Sequence, residues 1–442
     1  MTASKAEPRL VSWVIRVPLL APLTMRDFRL VWLGESISIL GDQFHIVALS
    51  LLILGRTGSG FTLGVVLIAA AIPRGAFILL GGVLSDRISP RDLALGSNVL
   101  RAIVTMLVAG LVLGGRIELW HLAAAGIAFG VVDAVFLPAI NTLVPRLVPA
   151  DRLASANAVL QGAFQLMGTA GPAVAGLAIA VIGIGAVFVL DAVSFALAAY
   201  ALWLVRSGSR LDPSAPGEPA SVASAAQSPS IRSSLADGAR VVLGDPIMRS
   251  IVVLSIAVNV AFTGPIVVGL PWLVVVRSGG DALSLGLLLA VFSAGVFGGV
   301  LIAGSMARPR RFGSVVLGLV LVMGIGLGAI GLASTVPLAA LTLLLIGLSV
   351  GYVNVVIIAW VQARTDPHVL GRTMSFLMFG SVVAAPISLA LAAVLVDHHA
   401  TVMFLGAGAL VVASGLLALL SGLPERMNRV DLPTGGPATM EA

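Results

Sequence analysis

The sequence predicts an all-α membrane protein of twelve transmembrane helices, arranged as two pseudo-symmetric six-helix bundles. Three observations carry this. The chain contains about twelve runs of roughly 20–29 apolar residues, each long enough to cross a ~30 Å hydrocarbon layer as a helix. Of its 26 Lys and Arg, 21 fall in alternate gaps between these runs, at their edges or in the two tails. The runs also divide six and six around a polar linker, and short motifs recur at a nearly constant offset.

Composition excludes the soluble classes. Apolar residues make up 58% of the chain and charged residues 10%, with a mean hydropathy of +1.09, a balance that cannot cover a soluble globular surface. A net charge of +6 in a soluble domain would point to nucleic acid; here the basic residues sit in short loops, where they set topology, and no nucleic-acid partner is expected. Retention of Lys and Arg on the cytoplasmic side, with an even number of spans, places both termini in the cytoplasm. The absence of cysteine excludes disulfides and thiolate metal sites. No Gly-x-x-x-x-Gly-Lys-Ser/Thr loop exists to hold a nucleotide. No metal-ligand set or Ser/His/Asp grouping appears at a shared depth. The expectation is therefore neither an enzyme nor an ATP-driven pump, with no cofactor and no metal. Twenty-five of the 26 basic residues are Arg, as in a GC-rich bacterial genome, so the bacterial inner membrane is the expected location.

The elements follow in order. Residues 1–25 form a cytoplasmic or interfacial segment: Leu10–Leu23 is apolar, but Arg16, Pro18 and Pro22 interrupt it and no signal-peptide cleavage site follows. It is expected either to lie along the inner interface, with Trp13 at headgroup depth, or to stay disordered. The first bundle, 26–206, holds spans 28–55, 61–85, 93–114, 118–144, 155–183 and 186–205. Residues 207–248 form a cytoplasmic linker: Ser207–Ser230 is rich in Ser, Ala, Pro and Gly, and Ile231, Leu235, Ala239 and Val242 have the spacing of a surface helix. The second bundle, 249–423, holds spans 249–276, 283–306, 312–333, 337–362, 371–396 and 401–422. Residues 424–442 read as a polar, disordered tail. Trp32, Trp120, Trp203, Trp272 and Trp360 all fall near span ends, where an amphipathic ring settles.

The halves echo each other. Gly81-Gly82-Val83-Leu84 recurs as Gly298-Gly299-Val300-Leu301, an offset of 217, and Arg146-x-x-Pro149 recurs as Arg364-x-x-Pro367, an offset of 218. Repeated halves around a midplane site are a common plan for secondary transporters.

Gly82-Val83-Leu84-Ser85-Asp86-Arg87-Ile88-Ser89-Pro90-Arg91 resembles the loop 2–3 signature of the major facilitator superfamily, departing from it at Ser89 and Pro90. Gly171-Pro172 with Gly176 resembles the Gly-Pro element of its antiporters, with Ala175 where the stricter form has Gly. Further segments are similar to the twelve-span drug:proton antiporter branch that includes macrolide-efflux and enterobactin-exporter proteins. These are Asp27 to Asp42, Pro138 to Ala158, Asp191-Ala192-x-Ser194-Phe195, Asp237-Gly238-Ala239-Arg240 and Gly371-Arg372-x-x-Ser375. The resemblance implies rocker-switch alternating access and export driven by the proton gradient. It further implies that Asp86, Arg87 and Arg91 form a conformational latch between the loop and a neighbouring helix end.

Charges within the membrane need a partner, an aqueous cavity or a function. At ~1.5 Å per residue, Asp42 lies ~21 Å from the inner end of span 1, Arg74 ~20 Å from the outer end of span 2 and Asp133 ~23 Å from the outer end of span 4. All three approach the midplane, on spans that in the superfamily border the cavity. They are expected to meet in one buried cluster that binds and releases a proton, or else to lock spans 1, 2 and 4 as a structural ion pair. Glu35, two turns before Asp42, receives a proton, attracts a cationic substrate or is simply hydrated. His45 shares the proton of Asp42 or packs in the bundle, and Asp191 is read as structural. Arg101 is read as snorkelling to the cytoplasmic headgroups, with Glu35 as an alternative partner. The second half offers only polar contacts, Asn259, Tyr352, Asn354 and Gln362, in an otherwise apolar wall.

The function expected is a proton-coupled exporter of small amphiphilic or hydrophobic compounds, cationic ones included, acting as a monomer in the bilayer. Two rivals keep the fold: a lysophospholipid, siderophore or metabolite carrier working by uniport or symport, and a receptor-like membrane protein that transports nothing.

Overall fold

The computed structural model describes residues 18–205, 244–306, 309, 311–333, 335–365 and 367–428. The interfacial segment up to residue 17, the linker with its surface helix, and the tail beyond residue 428 lie outside the described residues.

The described chain is helical. A 3₁₀ turn, Pro18–Thr24, leads into α1 (Arg26–Thr57), followed by α2 (Gly60–Arg87), α3 (Pro90–Leu113) and α4 (Leu119–Leu147). Leu153–Leu204 is one continuous helix of 52 residues, broken at Gly183, whose φ of 81° and ψ of 163° only glycine adopts readily. Unbroken it would run ~78 Å, more than twice the hydrocarbon thickness. Its limbs are α5 (153–182) and α6 (184–204). After the linker come α7 (Pro246–Gly264), α8 (Ala282–Ser305), α9 (Phe312–Leu332) and α10 (Val336–Arg364). Pro367–Leu420, 54 residues long, breaks at His399 (φ −137°, ψ 36°) into α11 (367–398) and α12 (400–420). Ten helices among the described residues are thus long and apolar enough to span a bilayer, and the two breaks divide them into twelve segments. Both breaks fall in gaps that the hydropathy pattern marks, 183–186 and 396–401.

Local chemistry sets the ends. Gly58 closes α1 in the left-handed region (φ 63°), its N–H donating to Leu54 O at 2.8 Å. Pro90 opens α3 at the first turn, where its missing N–H costs nothing. Asp245 caps α7, its Oδ1 accepting from the Ile247 N–H at 2.8 Å. Beyond Gly264, α7 continues as a wide π segment, Pro265–Gly269, one α turn, Leu270–Trp272, and a second π segment, Leu273–Arg277. Pro265 and Pro271 lack the amide of a regular α ladder, and wider turns accommodate them. The hydropathy pattern alone predicts a plain helix here.

The described residues fall into two compact units, one drawn from Met1–Gln227 and Pro271–Ala290, the other from Ser228–Leu270 and Val291–Ala442. In the first, α1 packs along the α5–α6 pair and α2 along α4, while α3 lies against α4 and the α5–α6 pair. At one end of this unit Val31, Ala94, Leu143 and Leu202 form an apolar core; beside it Phe28 packs with Val144, Val148 and Val159. In the second, the α11–α12 pair packs on α7 and α9, and Met248, Phe312, Trp360 and Val411 share a core.

The end of the chain corrects one expectation. The tail expected to be disordered from residue 424 begins within a six-residue helix, α13 (Leu423–Asn428). Leu423 and Met427, one turn apart, are buried on one face, and Asn428 Oδ1 accepts from the Gly313 N–H at 2.9 Å.

Candidate functional site

Five helices of the first unit, α1, α2, α3, α4 and α6, bring their charged residues together. On α1, Glu35, Ser38, Asp42 and His45 recur every three or four residues and so share one face. On α3, Ala94, Asn98, Arg101 and Thr105 do the same, and all four are buried. On α4 the sequence Phe129-x-x-x-Asp133-x-x-Phe136 places an acid between two rings, and on α6 Phe188-x-x-Asp191-x-x-x-Phe195 does so again.

Arg101 departs from the sequence expectation. It does not snorkel: 6% of its side chain is exposed, and Nη2 donates to Asp133 Oδ1. Its guanidinium lies 4.2 Å from the Phe136 ring centroid and 5.5 Å from that of Phe195, within cation–π range. The reason is enclosure: the Asp133 carboxylate and the Phe136 and Phe195 rings, from α4 and α6, hold the guanidinium inside the unit.

Asp133 is also approached by Arg74, whose Nη1 lies 3.8 Å from Oδ2 and whose side chain is 54% exposed. Gly130, one turn before Asp133, is seated against the α2 backbone at Ala70 and Arg74, and this close crossing brings the two side chains into range. Asp42, expected to meet both Arg74 and Asp133, makes no ion pair among the described residues. The charges that act on it belong to Arg101, Asp191, Asp133 and His45.

A second acid–base pair lies beside the first. His45 Nδ1 and Asp191 Oδ2 are 3.0 Å apart. Asp191 is fully buried, and its Oδ1 has no hydrogen-bond partner. The His45 ring stands 4.9 Å from that of Phe129 and 5.4 Å from that of Phe188. Glu35, 7% exposed, has an Oε1 without a partner, and Arg101 and Asp42 act on it. Four carboxylates (Glu35, Asp42, Asp133, Asp191) against two guanidiniums (Arg74, Arg101) leave this cluster at a formal −2 when His45 is neutral.

The other expected residues are dispersed. Gly171 and Pro172 are buried in α5, and Gly176 lies against Ala282 and Gly286 of α8. The side chains of Asp86 and Arg87 lie outside the described residues. Arg91 donates from Nε to Leu202 O at 2.9 Å and from Nη2 to Trp203 O at 2.7 Å, closing the end of α6. In the second unit, Asn259 donates to Ser255 O of its own helix at 2.8 Å, Tyr352 is half-buried and Asn354 is exposed. Arg364 donates from Nε and Nη2 to Asp245 Oδ2 at 3.1 and 2.9 Å. Burial alone would raise the Asp245 carboxyl; the Arg364 guanidinium and the Ile247 and Met248 amides outweigh it and hold it below the usual carboxylate range.

Sequence reasoning missed the partner of Arg101 and the interior position of Asp191. Both carry a readable signal: buried polar residues at helical spacing along α3, and the two Phe-flanked acids on α4 and α6.

Comparison with known proteins supplies the lineage. The sequence pattern of the Major Facilitator Superfamily matches residues 31–389. The chain is 27% identical to an uncharacterised MFS-type transporter, y4rN, of Sinorhizobium fredii, covering 88% of this chain and 93% of that one. It is 22% identical to macrolide efflux protein A of Streptococcus pyogenes, covering 92% and 97%. It is 25% identical to the multidrug efflux pump Tap of Mycolicibacterium fortuitum, covering 89% and 94%. Among solved structures, a bacterial homologue of the iron transporter ferroportin in an inward-facing state superposes with a TM-score of 0.66 at 18% identity, covering 92% of this chain and 99% of that one; this likeness concerns the fold alone. With its apolar spans and paired helical units, the chain belongs to the Major Facilitator Superfamily and is a membrane transporter rather than an enzyme.

Proposed function

We propose that the chain exports small amphiphilic or hydrophobic compounds, cations among them, across the bacterial cytoplasmic membrane in exchange for protons, by alternating access. The observation that carries this reading is the negative excess of the charge cluster in the first unit. Glu35 and Asp42 sit within the charge field of Arg101, but the nearest oxygen to that guanidinium belongs to Asp133. They therefore lack a fixed cation of their own. Glu35 is buried and Asp42 half-buried, and carboxylates withdrawn from water in this way are stabilised either by a proton or by a cationic group, but not readily by neither. A proton and a cationic substrate thus compete for one place, which is the requirement for exchange. The relatives named for macrolide and multidrug efflux support a small amphiphilic cargo.

In this reading both termini face the cytoplasm, and the protein works as a monomer. Asp86, Arg87 and Arg91 latch a loop that is released as the bundles rock. Gly171, Pro172 and Gly176 shape a close helix crossing, and Asn259, Tyr352 and Asn354 line an otherwise apolar wall.

The test is purified protein in liposomes with an imposed pH gradient, screened against a panel of lipophilic amines, macrolides and neutral amphiphiles. Substrate-induced proton flux is expected, lost in Asp42→Asn and Asp133→Asn while folded protein remains in the membrane. Flux without a pH change would make the chain a uniporter. Full coupled transport in both variants would remove the cluster from the mechanism.

A further inference from the structure

We propose that His45 and Asp191 form a second proton-carrying site, distinct from Glu35 and Asp42, so that the first unit exchanges two protons rather than one. The proposal rests on the proton-exchange reading above and adds its stoichiometry.

Two acid–base pairs of the same plan lie side by side. On α4 an acid flanked by Phe129 and Phe136 meets Arg101; on α6 an acid flanked by Phe188 and Phe195 meets His45. Their bases differ in one decisive respect. A guanidinium does not release its proton in a protein, so Arg101–Asp133 is a fixed pair. An imidazole does release one within the physiological range, so His45–Asp191 is a pair whose proton can leave.

A separation of 3.0 Å between Nδ1 and Oδ2 is a hydrogen-bond distance, with one proton between the two atoms. With a second proton on Nε2 the pair is neutral, as an imidazolium facing a carboxylate or an imidazole facing a carboxylic acid. Loss of one of the two leaves a neutral imidazole beside a carboxylate with 0% exposure, whose Oδ1 already lacks a partner. A bare charge there is costly, so the proton leaves only as another cation arrives.

The surroundings show where that cation acts. Facing His45 are Asp191 from α6, Asp133 from α4 and Asp42 from its own helix; facing Asp191 is Arg101 from α3. His45 keeps 18% of its side chain accessible while Asp191 keeps none, so the pair is reached through His45. One proton leaves the His45–Asp191 pair (neutral to −1), a second leaves Glu35 or Asp42 (neutral to −1), and a monovalent substrate cation bound beside them adds +1. The cluster of four carboxylates and two guanidiniums thus passes from 0 to −1, and the exchange is electrogenic. No bond other than N–H or O–H is made or broken.

The experiment counts protons. Purified transporter in weakly buffered detergent solution is mixed with tetraphenylphosphonium, a lipophilic cation, and proton release is read with a pH-sensitive dye. Two protons per bound cation are expected from the unaltered chain and one from His45→Gln or Asp191→Asn, with binding retained. Asp191→Glu serves if the amide variant fails to fold. In parallel, ¹⁵N-histidine NMR in lipid nanodiscs follows the His45 ring from about pH 5 to 9. A titrating signal that changes in the Asp191 variant supports the site. A His45 ring that does not titrate, or an unchanged proton count in variants that merely melt lower, overturns it. Binding by the unaltered chain with no proton release at all would instead sink the exchange reading, and a failure to bind the cation would sink the substrate class, leaving the NMR titration to judge the pair.

Discussion

Removing the carboxylate of Asp133 strands Arg101, and the cost follows from the geometry. The guanidinium is 6% exposed, held by Asp133 and enclosed by Phe136 and Phe195. Breaking a buried pair by deleting one partner costs about 3–5 kcal/mol. Arg74 approaches the same carboxylate at 3.8 Å but is 54% exposed; such a pair retains about 0–1 kcal/mol. The expected order of destabilisation is therefore Asp133→Asn, then Arg101→Met, then Arg74→Gln, with the last near the limit of measurement. Apolar replacement of both partners of a buried pair is often close to neutral. The double variant Arg101→Met/Asp133→Leu should accordingly recover most of the loss, with a coupling of about 2–3 kcal/mol. Chemical unfolding in detergent, followed by Trp fluorescence, measures each step. Equal losses for Arg74→Gln and Arg101→Met, or no recovery in the double variant, would refute the idea that Arg101 is the principal partner.

Four further outcomes are expected. Asp245→Ala loses a helix cap worth about 1 kcal/mol and leaves Arg364 without its acid, so a double-mutant cycle with Arg364→Ala should show coupling. Because Asp245 is held below the ordinary carboxylate value of about 4, its contribution is present above that pH and disappears as pH falls through the folded-state value; Asp245→Asn should flatten this acid limb of the unfolding profile. Gly41→Ala places a methyl group onto Ser194 and Asp191 of α6, an overpacking of about 1–3 kcal/mol that Ser194→Gly should partly relieve in melting experiments. Truncation after Ser421 removes buried Leu423 and Met427, each worth about 1.5–3 kcal/mol, and should lower the melting temperature.

The architecture was legible because the bilayer imposes one dimension. Span length and the gaps near residues 184 and 398 follow from counting apolar residues against a fixed thickness, and Gly183 and His399 break the chain there. Counting along the spans also put Asp133 within reach of Arg74, and the two approach at 3.8 Å. Azimuth was not legible. Successive residues turn by about 100°, so the carboxylate that Arg74 or Arg101 faces depends on helix packing that no single span encodes. Arg101 was expected at the interface because the groups that enclose it, Asp133, Phe136 and Phe195, come from two other helices. Asp191 reads as structural from its own span, which carries no sign of His45 opposite it. The π segments of α7 were hidden because hydropathy is blind to hydrogen-bond register.

The bond pattern of Arg91 ties two helix ends together. Its guanidinium, in the first turn of α3, holds the carbonyls of Leu202 and Trp203 in the last turn of α6. Carbonyls at a helix end have no amide of their own helix to accept from, so this end of α6 resists fraying only while α3 stays beside it. A displacement of α3, the helix that carries Arg101, would therefore be felt at the close of α6.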